Sequence, residues 1–149
     1  MTTPILKVTR SFFDQSKVQA EMDAATRRGM ITIGSFVRRT AIRSIRRRNN
    51  PSLPGNPPHA RRASSPLKRL LLFSYEPRTQ GVVIGPAAFG DAEAPGTLEF
   101  GGTVKPSRRR KGRRPVRPAT IKARPFMGPA FDTTLAKIPA VFEGILNRR

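Results

Sequence analysis

Apolar and small residues recur at intervals of three and four along the first third of the chain, the spacing of one buried face on an α-helix. This stripe predicts a long helix from about Asp14 to Arg48. Asp14 or Ser11 is a suitable N-cap, and Pro51 helps to end the helix. Gly29 and the β-branched residues after it weaken the middle, so we expect a kink there. The stripe consists of Val18, Met22, Ala25, Gly29, Ile33, Phe36, Val37, Thr40, Ala41 and Ile45.

The middle of the chain changes to short β-rich runs separated by turn residues. Residues 49–66 are rich in proline and poor in apolar groups, which indicates an irregular linker. The runs Lys68–Tyr75 and Gly81–Gly85 are close enough to form a β-hairpin. A third short strand is expected at Thr97–Phe100, before a Gly-Gly turn.

The last part of the chain predicts one more strand and a C-terminal helix. The strand is expected at Ile121–Arg124, and the helix runs from about Gly128 to Asn147 with a bend at Pro139. Pro129 suits its first turn. The residues expected to face the core are Phe131, Leu135, Ile138, Val141, Phe142 and Ile145. The order of helix, sheet and helix predicts an α+β domain with a small, mostly antiparallel sheet.

Composition limits the possible classes of protein. A chain of 149 residues is one domain by length, from 1 to 149, and its 37% hydrophobic residues and 15 prolines restrict the size of the core. Cysteine is absent, which excludes disulfides and thiolate metal sites. The first residues lack the layout of a signal peptide, and no apolar run approaches the roughly 18 residues of a membrane span. We therefore expect a soluble protein made in a cytoplasm, without a membrane partner.

The charge points to a polyanionic or acidic partner. There are 29 Lys and Arg against 9 Asp and Glu, a net charge of +20. No acidic residue lies between Ala24 and Tyr75. Residues 104–120 have no apolar periodicity and predict a basic loop or arm that contacts a polyanion or an acidic protein. Its basic residues are Lys105, Arg108, Arg109, Arg110, Lys111, Arg113, Arg114 and Arg117.

Residues suited to catalysis are scarce. His59 is the only histidine and lies in the proline-rich segment, where a solvated role is expected. Asp91 and Glu93 are the only acidic residues close together in a loop, which is weak support for a metal ion. There is no phosphate-binding glycine loop with its lysine. We expect no enzymatic activity, no cofactor and no bound metal.

Nucleic-acid binding is a real alternative for so basic a chain. Arginine-rich segments neutralise phosphates, and a small α+β body with basic extensions is common among ribosomal proteins. The basic segments contain no interleaved aromatic residues to stack on bases, and no helix-turn-helix or zinc pattern is present. A ribosome-like or nucleoid-like RNA/DNA-binding protein therefore remains open, without sequence-specific recognition.

Four short motifs, taken in order over residues 50 to 131, carry a family resemblance. They are Leu53–His59 followed by Leu67-Lys68, then Val82–Pro86, then Leu98-Glu99-Phe100-Gly101, then Ala123-Arg124-Pro125-Phe126. This series resembles the small tail-completion and neck proteins of long-tailed bacteriophages, the group that includes lambda-type minor tail protein Z. The chain departs from the family pattern at 104–120, where the basic insert separates the last two motifs.

The resemblance implies a structural virion protein of the phage neck or tail, made in the host cytoplasm. By family analogy it forms a homo-oligomeric, hexameric ring that joins the DNA-filled head to the tail. Adjacent neck, connector or tail proteins and genomic DNA in the channel are its implied partners. Leu98, Glu99, Phe100 and Gly101 are then expected near the subunit boundary. Phe126 and Met127 anchor the C-terminal helix, with simple core packing as the competing interpretation.

Overall fold

The computed structural model describes residues 14–87, 93–104 and 118–147. These residues form five helices and four strands in an α+β arrangement, as predicted. In chain order the elements are α1 (Gln15–Ser44), α2 (Pro66–Arg69), β1 (Leu71–Glu76), β2 (Gly81–Pro86), α3 (Glu93–Phe100), β3 (Gly102–Val104), β4 (Ala119–Ile121), α4 (Met127–Leu135) and α5 (Ile138–Leu146).

Helix α1 starts where its capping residue predicts. The carboxylate of Asp14 accepts a hydrogen bond from the backbone N–H of Lys17 at 3.1 Å. The helix continues without a break past Gly29, so the expected kink is wrong. It ends at Ser44, four residues before the predicted end at Arg48, because Ile45 takes an extended conformation (φ −77°, ψ 94°).

Two glycines in α1 are explained by close packing. A Cβ at Gly29 would lie 2.6 Å from Cε1 of Phe142 in α5. A Cβ at Gly34 would lie 2.8 Å from Cδ2 of Phe73 in β1. Both distances are shorter than real carbon contacts, so only glycine lets α5 and the hairpin approach the helix this closely.

The hairpin of β1 and β2 is confirmed. The strands are antiparallel, with Leu71 opposite Pro86 and Glu76 opposite Gly81. Arg38 in α1 holds the hairpin, because its Nε donates to the carbonyl of Leu71 at 2.6 Å. A second antiparallel pair, β3 and β4, is separate from the hairpin within the described residues.

The strands near the second pair differ from the predicted ones. Residues Thr97–Phe100 belong to helix α3 rather than to a strand. The observed strands are Gly102–Val104 and Ala119–Ile121, so the strand expected at Ile121–Arg124 begins and ends earlier. A short apolar run fits a helix as well as a strand, so its pattern does not distinguish the two. The proline in the first turn of α3 suits the start of a helix.

The C-terminal helix is two helices. Helix α4 ends at Leu135, and the N–H of Lys137 bonds to the carbonyl of Thr134 at 2.9 Å. Pro139 is the second residue of α5, so it starts the second helix instead of bending one long helix.

The core lies between α1, α4 and the start of β1. Its buried members are Ile33, Val37, Ala41, Ile45, Ala60, Leu67, Leu71, Phe126 and Ala130. Phe131 is 47% exposed and Leu135 is 44% exposed, so their predicted core positions are wrong. The neighbouring Ala130 and Thr134 are buried instead, because small side chains let α4 pack closely on α1.

The proline-rich linker is irregular, as predicted, but it is packed against the body of the molecule. The N–H of Ala60 donates to the carbonyl of Arg46 at 2.9 Å, and the N–H of Arg48 donates to the carbonyl of Ala60 at 3.1 Å. Ser52 and Ala60 are both 5% exposed. The segment therefore folds back along the end of α1 and packs against it in an ordered conformation.

Candidate functional site

Two regions carry charged groups in unusual surroundings. The first, called here the clasp, consists of the contacts between residues 97–102 and 123–128. The second, called here the basic cavity, lies where the last turn of α1 meets residues 49–59.

The clasp begins with a backbone contact between the two motifs. The N–H of Arg124 donates to the carbonyl of Leu98 at 2.6 Å. Arg124 precedes a proline, which keeps it out of a helix and in position for this contact. The segments are adjacent in space although the basic insert lies between them in the sequence.

The carboxylate of Glu99 completes the clasp by capping α4. Its Oε2 accepts from the N–H of Phe126 at 2.9 Å and of Met127 at 3.1 Å, and its Oε1 accepts from Gly128 at 2.8 Å. The first N–H groups of a helix have no partner within the helix, and its dipole favours a negative charge there. Glu99 therefore supplies from another element the cap that the side chain of Phe126 lacks.

Gly101 allows the two segments to meet. Its φ is +77°, a conformation that favours glycine. A Cβ there would also lie 3.0 Å from the backbone nitrogen of Ala123 and 3.2 Å from the carbonyl oxygen of Ile121. Both the backbone angle and the space restrict this position to glycine.

The four residues predicted at a subunit boundary have different surroundings. Leu98 is half-buried against the core, and Glu99 and Gly101 contact the chain that starts α4. Phe100 is 84% exposed, an unusual state for a large aromatic ring. Of the four, Phe100 is the side chain most available to a partner.

The two residues predicted to anchor the C-terminal helix lie at its start. Phe126 is 1% exposed and belongs to the buried core. Met127 is partly buried and packs against the same core. Both are held by Glu99 through their N–H groups.

Arg124 links the clasp to the wall of the basic cavity. Its Nε donates to the carbonyl of Ser52 at 3.0 Å. The N–H of Gly55 donates to the carbonyl of Ala123 at 2.9 Å. These two bonds fix residues 52–55, so one side of the cavity is held by the same segment that starts α4.

The basic cavity has a volume of about 900 Å³ and opens to solvent. Its lining includes Arg43 in the last turn of α1, Arg46 and Arg48 just after the helix, and polar residues of 49–59. No carboxylate is among the described residues that line it. The hydroxyl of Ser52, also on the lining, is buried and has no hydrogen-bond partner within the described part of the chain.

His59 lies on the wall of this cavity and is not the freely solvated residue that we expected. It is partly buried, and its Nδ1 lies 2.8 Å from the carbonyl oxygen of Asn50. Because a carbonyl only accepts, Nδ1 carries the proton and Nε2 is left for another contact. Over residues 14–87, 93–104 and 118–147, no cluster of His, Cys, Asp and Glu is suited to hold a metal ion.

The basic loop at 104–120 lies almost entirely outside the described residues. This applies to its eight predicted contact residues: Lys105, Arg108, Arg109, Arg110, Lys111, Arg113, Arg114 and Arg117. Asp91 also lies outside them, and so does the side chain of Glu93.

The predictions from sequence included neither the Glu99 cap nor the basic cavity. A glutamate at the end of a short apolar run gives no sign that it caps a helix 28 residues further on. For the cavity a signal was present, because Arg43, Arg46 and Arg48 stand directly before a stretch rich in asparagine and proline, with no acid nearby. What was lacking was the turn that folds residues 49–59 back onto them.

No protein-family model, curated protein or solved structure matches the chain. Within the described residues, none of the helices combines the length and the apolar character needed to cross a membrane.

Proposed function

We propose that the chain is a structural subunit of a bacteriophage neck, where copies of it form a ring that joins the DNA-filled head to the tail. The observation that carries the proposal is the clasp. The two C-terminal motifs of the family resemblance form one unit, in which Glu99 of the first caps the helix begun by the second. This contact between the two motifs supports the proposal.

Exposed apolar groups support an oligomer. Phe100 is 84% exposed, Leu53 73% and Val83 66%. Apolar surface of this kind is buried between subunits in obligate assemblies. The sheets also favour association between subunits. Each has two strands within the described residues, so each strand has an unpaired edge that is suited to pairing with another copy.

The charge fits the proposed position. A net charge of +20 makes a lone subunit repel its own copies unless an anionic partner is present. Genomic DNA in the channel and acidic surfaces of adjacent connector or tail proteins are both partners of that kind. Hexameric symmetry is part of the proposal by family analogy.

The first test is the assembly state of the full chain, by mass photometry and negative-stain electron microscopy at micromolar concentration. We expect closed rings of fixed copy number. Phe100→Ser should shift the population to free subunits, because it removes the most exposed aromatic ring near the clasp. Met22→Ser is the matched control, an apolar residue that is 60% exposed on the first turns of α1, and should leave the rings intact.

If the wild-type chain is a monomer, and Phe100→Ser leaves that assembly state unchanged, the proposal is overturned. A second function, ribosome-like or nucleoid-like binding of RNA or DNA, is favoured by the basic cavity. That function predicts co-purification with heterogeneous nucleic acid but no ring. The presence or absence of a ring in the same preparation therefore separates the two functions.

A further inference from the structure

The basic cavity is held by hydrogen bonds within the chain, so it is present before any ligand arrives. The parallel bridge between Arg47 and Ala60 ties the two ends of residues 48–59 together. The bonds from Arg124 to Ser52 and from Gly55 to Ala123 fix residues 52–55. A preformed site binds without the loss of entropy that ordering a loop would cost.

The cavity concentrates positive charge. Three arginines, Arg43, Arg46 and Arg48, belong to one lining, and no acidic residue among the described ones accompanies them. The end of a helix dipole is equivalent to roughly half a negative charge, which is less than these three groups supply. The site therefore favours an anion.

Its polar lining adds hydrogen-bond donors to this charge. Asn49, Asn50 and Asn56 line the cavity, and so does Ser52, whose buried hydroxyl has no hydrogen-bond partner among the described residues. Guanidinium forks pair with phosphate oxygens by two parallel hydrogen bonds. Hydrogen-bond donors gathered without a negatively charged side chain are typical of a phosphate-binding site.

The size and surroundings of the cavity favour a strand over a single ion. A volume of about 900 Å³ is in the upper part of the range for ligand sites, and the cavity is open to solvent. The positive charge continues outside it, because Arg39, Arg61 and Arg62 are exposed and no acid occurs from residue 24 to 75. Such a field attracts a polyanion from a distance.

We infer that the basic cavity binds phosphate groups of a nucleic-acid strand, independently of its sequence. His59 carries the only aromatic ring among the described lining residues, so base stacking contributes little. This inference does not require the ring, because one subunit carries the whole cavity.

The test compares two triple variants of the full chain that lose the same charge. Arg43→Gln/Arg46→Gln/Arg48→Gln removes the arginines of the cavity. Arg39→Gln/Arg61→Gln/Arg62→Gln removes three exposed arginines that do not line it. Binding of a labelled single-stranded DNA 20-mer is followed by fluorescence anisotropy over a range of salt concentrations, and circular dichroism confirms that both variants are folded.

We expect the cavity variant to weaken binding by roughly tenfold or more at low salt. Its salt dependence, log K against log[salt], should flatten by up to about two units for three lost phosphate contacts on a single strand. The control variant should lose clearly less affinity, and two DNA sequences should give the same result. Inorganic phosphate should compete with the DNA for the wild type.

Equal losses in the two variants would overturn the inference, since the effect would then belong to the overall charge. Unchanged DNA binding in the cavity variant would also overturn it. If that variant loses binding of a glutamate-rich peptide instead, the cavity is a carboxylate site of a protein partner. Ring formation is measured separately by mass photometry, so failure here and failure of the proposed neck function are distinguishable.

Discussion

The clasp and the basic cavity are linked through Arg124, which bonds to Ser52, yet their charged groups have opposite surroundings. In the clasp, the carboxylate of Glu99 meets three backbone N–H groups. In the cavity, Arg43, Arg46 and Arg48 share a lining that has no acidic residue among the described ones. A charge that is fully paired within the chain stabilises the fold, whereas unpaired like charges held together are available to a partner.

This difference gives each region a distinct response to mutation. Changes in the clasp should reduce the free energy of unfolding, because they leave backbone donors or core space unfilled. Changes in the cavity should alter binding and leave stability nearly constant.

The largest expected effect is the loss of the aromatic ring at the start of α4. Phe126→Ala should lower the free energy of unfolding by about 3–5 kcal/mol, because the side chain is 1% exposed in the core. Phe131→Ala is the matched control and should cost less than about 1.5 kcal/mol, since that ring is 47% exposed. Urea denaturation of both variants measures the difference, and equal losses would contradict the observed orientation of α4.

The next effect concerns the cap itself. Glu99→Ala should lower the free energy of unfolding by about 2–3 kcal/mol, because the N–H groups of Phe126, Met127 and Gly128 lose a charged acceptor. Glu99→Gln keeps one acceptor oxygen without the charge, so its loss should be about half as large. A loss below about 0.5 kcal/mol for Glu99→Ala in the same urea experiment would show that the cap is not a stabilising feature.

Apolar periodicity was sufficient for the elements with many regularly spaced residues. The stripe containing Ile33, Val37, Ala41 and Ile45 predicted both the helix α1 and its buried face. The same stripe includes Val18 and Met22, which are 40% and 60% exposed. Periodicity gives the face of a helix but not how far along its length a partner covers that face.

Side-chain size misled the prediction for α4. The apolar pattern selects Phe131 and Leu135, the largest residues of the helix, as core positions. The observed contact is made by Ala130 and Thr134, which allow α4 to approach α1 closely. Close helix packing favours small residues, so a pattern that weighs hydrophobic size is shifted by one position.

The clasp and the cavity depend on pairings between distant parts of the chain. Glu99 caps a helix across the basic insert, and the cavity needs residues 49–59 to fold back along the end of α1. A single sequence shows which residues are charged but not which of them meet. The family resemblance brought attention to both halves of the clasp, although it gave Glu99 a different expected role.

The cavity should show almost no effect on stability. Arg43→Gln/Arg46→Gln/Arg48→Gln should change the free energy of unfolding by less than about 0.5 kcal/mol at 0.1 M salt. Relief of repulsion among like charges and loss of a favourable contact with the helix dipole act in opposite directions and are of similar size. A loss above about 2 kcal/mol in urea denaturation would mean that these arginines are structural, as Glu99 is, and the contrast between the two regions would disappear.

The smallest expected effect on the fold is that of the Asp14 cap, which differs from the Glu99 cap in its surroundings. Asp14 accepts one backbone N–H, from Lys17, at the exposed start of α1, whereas Glu99 accepts three beside the core. Hydrogen bonds from the Ser16 side chain and then from the Lys17 N–H hold the pKa of Asp14 below its ordinary value of 3.8.

A lowered folded pKa means that the ionised cap stabilises the helix above pH 3.8 and that this contribution is lost as pH falls through the folded pKa. Asp14→Asn keeps a capping oxygen without the charge, so the difference in helicity between wild type and variant should shrink as the pH is lowered from 5 to 2. Circular dichroism at each pH, with amide exchange of Lys17 as the local measure, follows the change.

Because residues 14–22 are all exposed, we expect fraying of the first turn only, with no change in the urea midpoint of the whole chain. A pH-independent difference would show that the hydrogen bond alone, without the charge of Asp14, starts the helix.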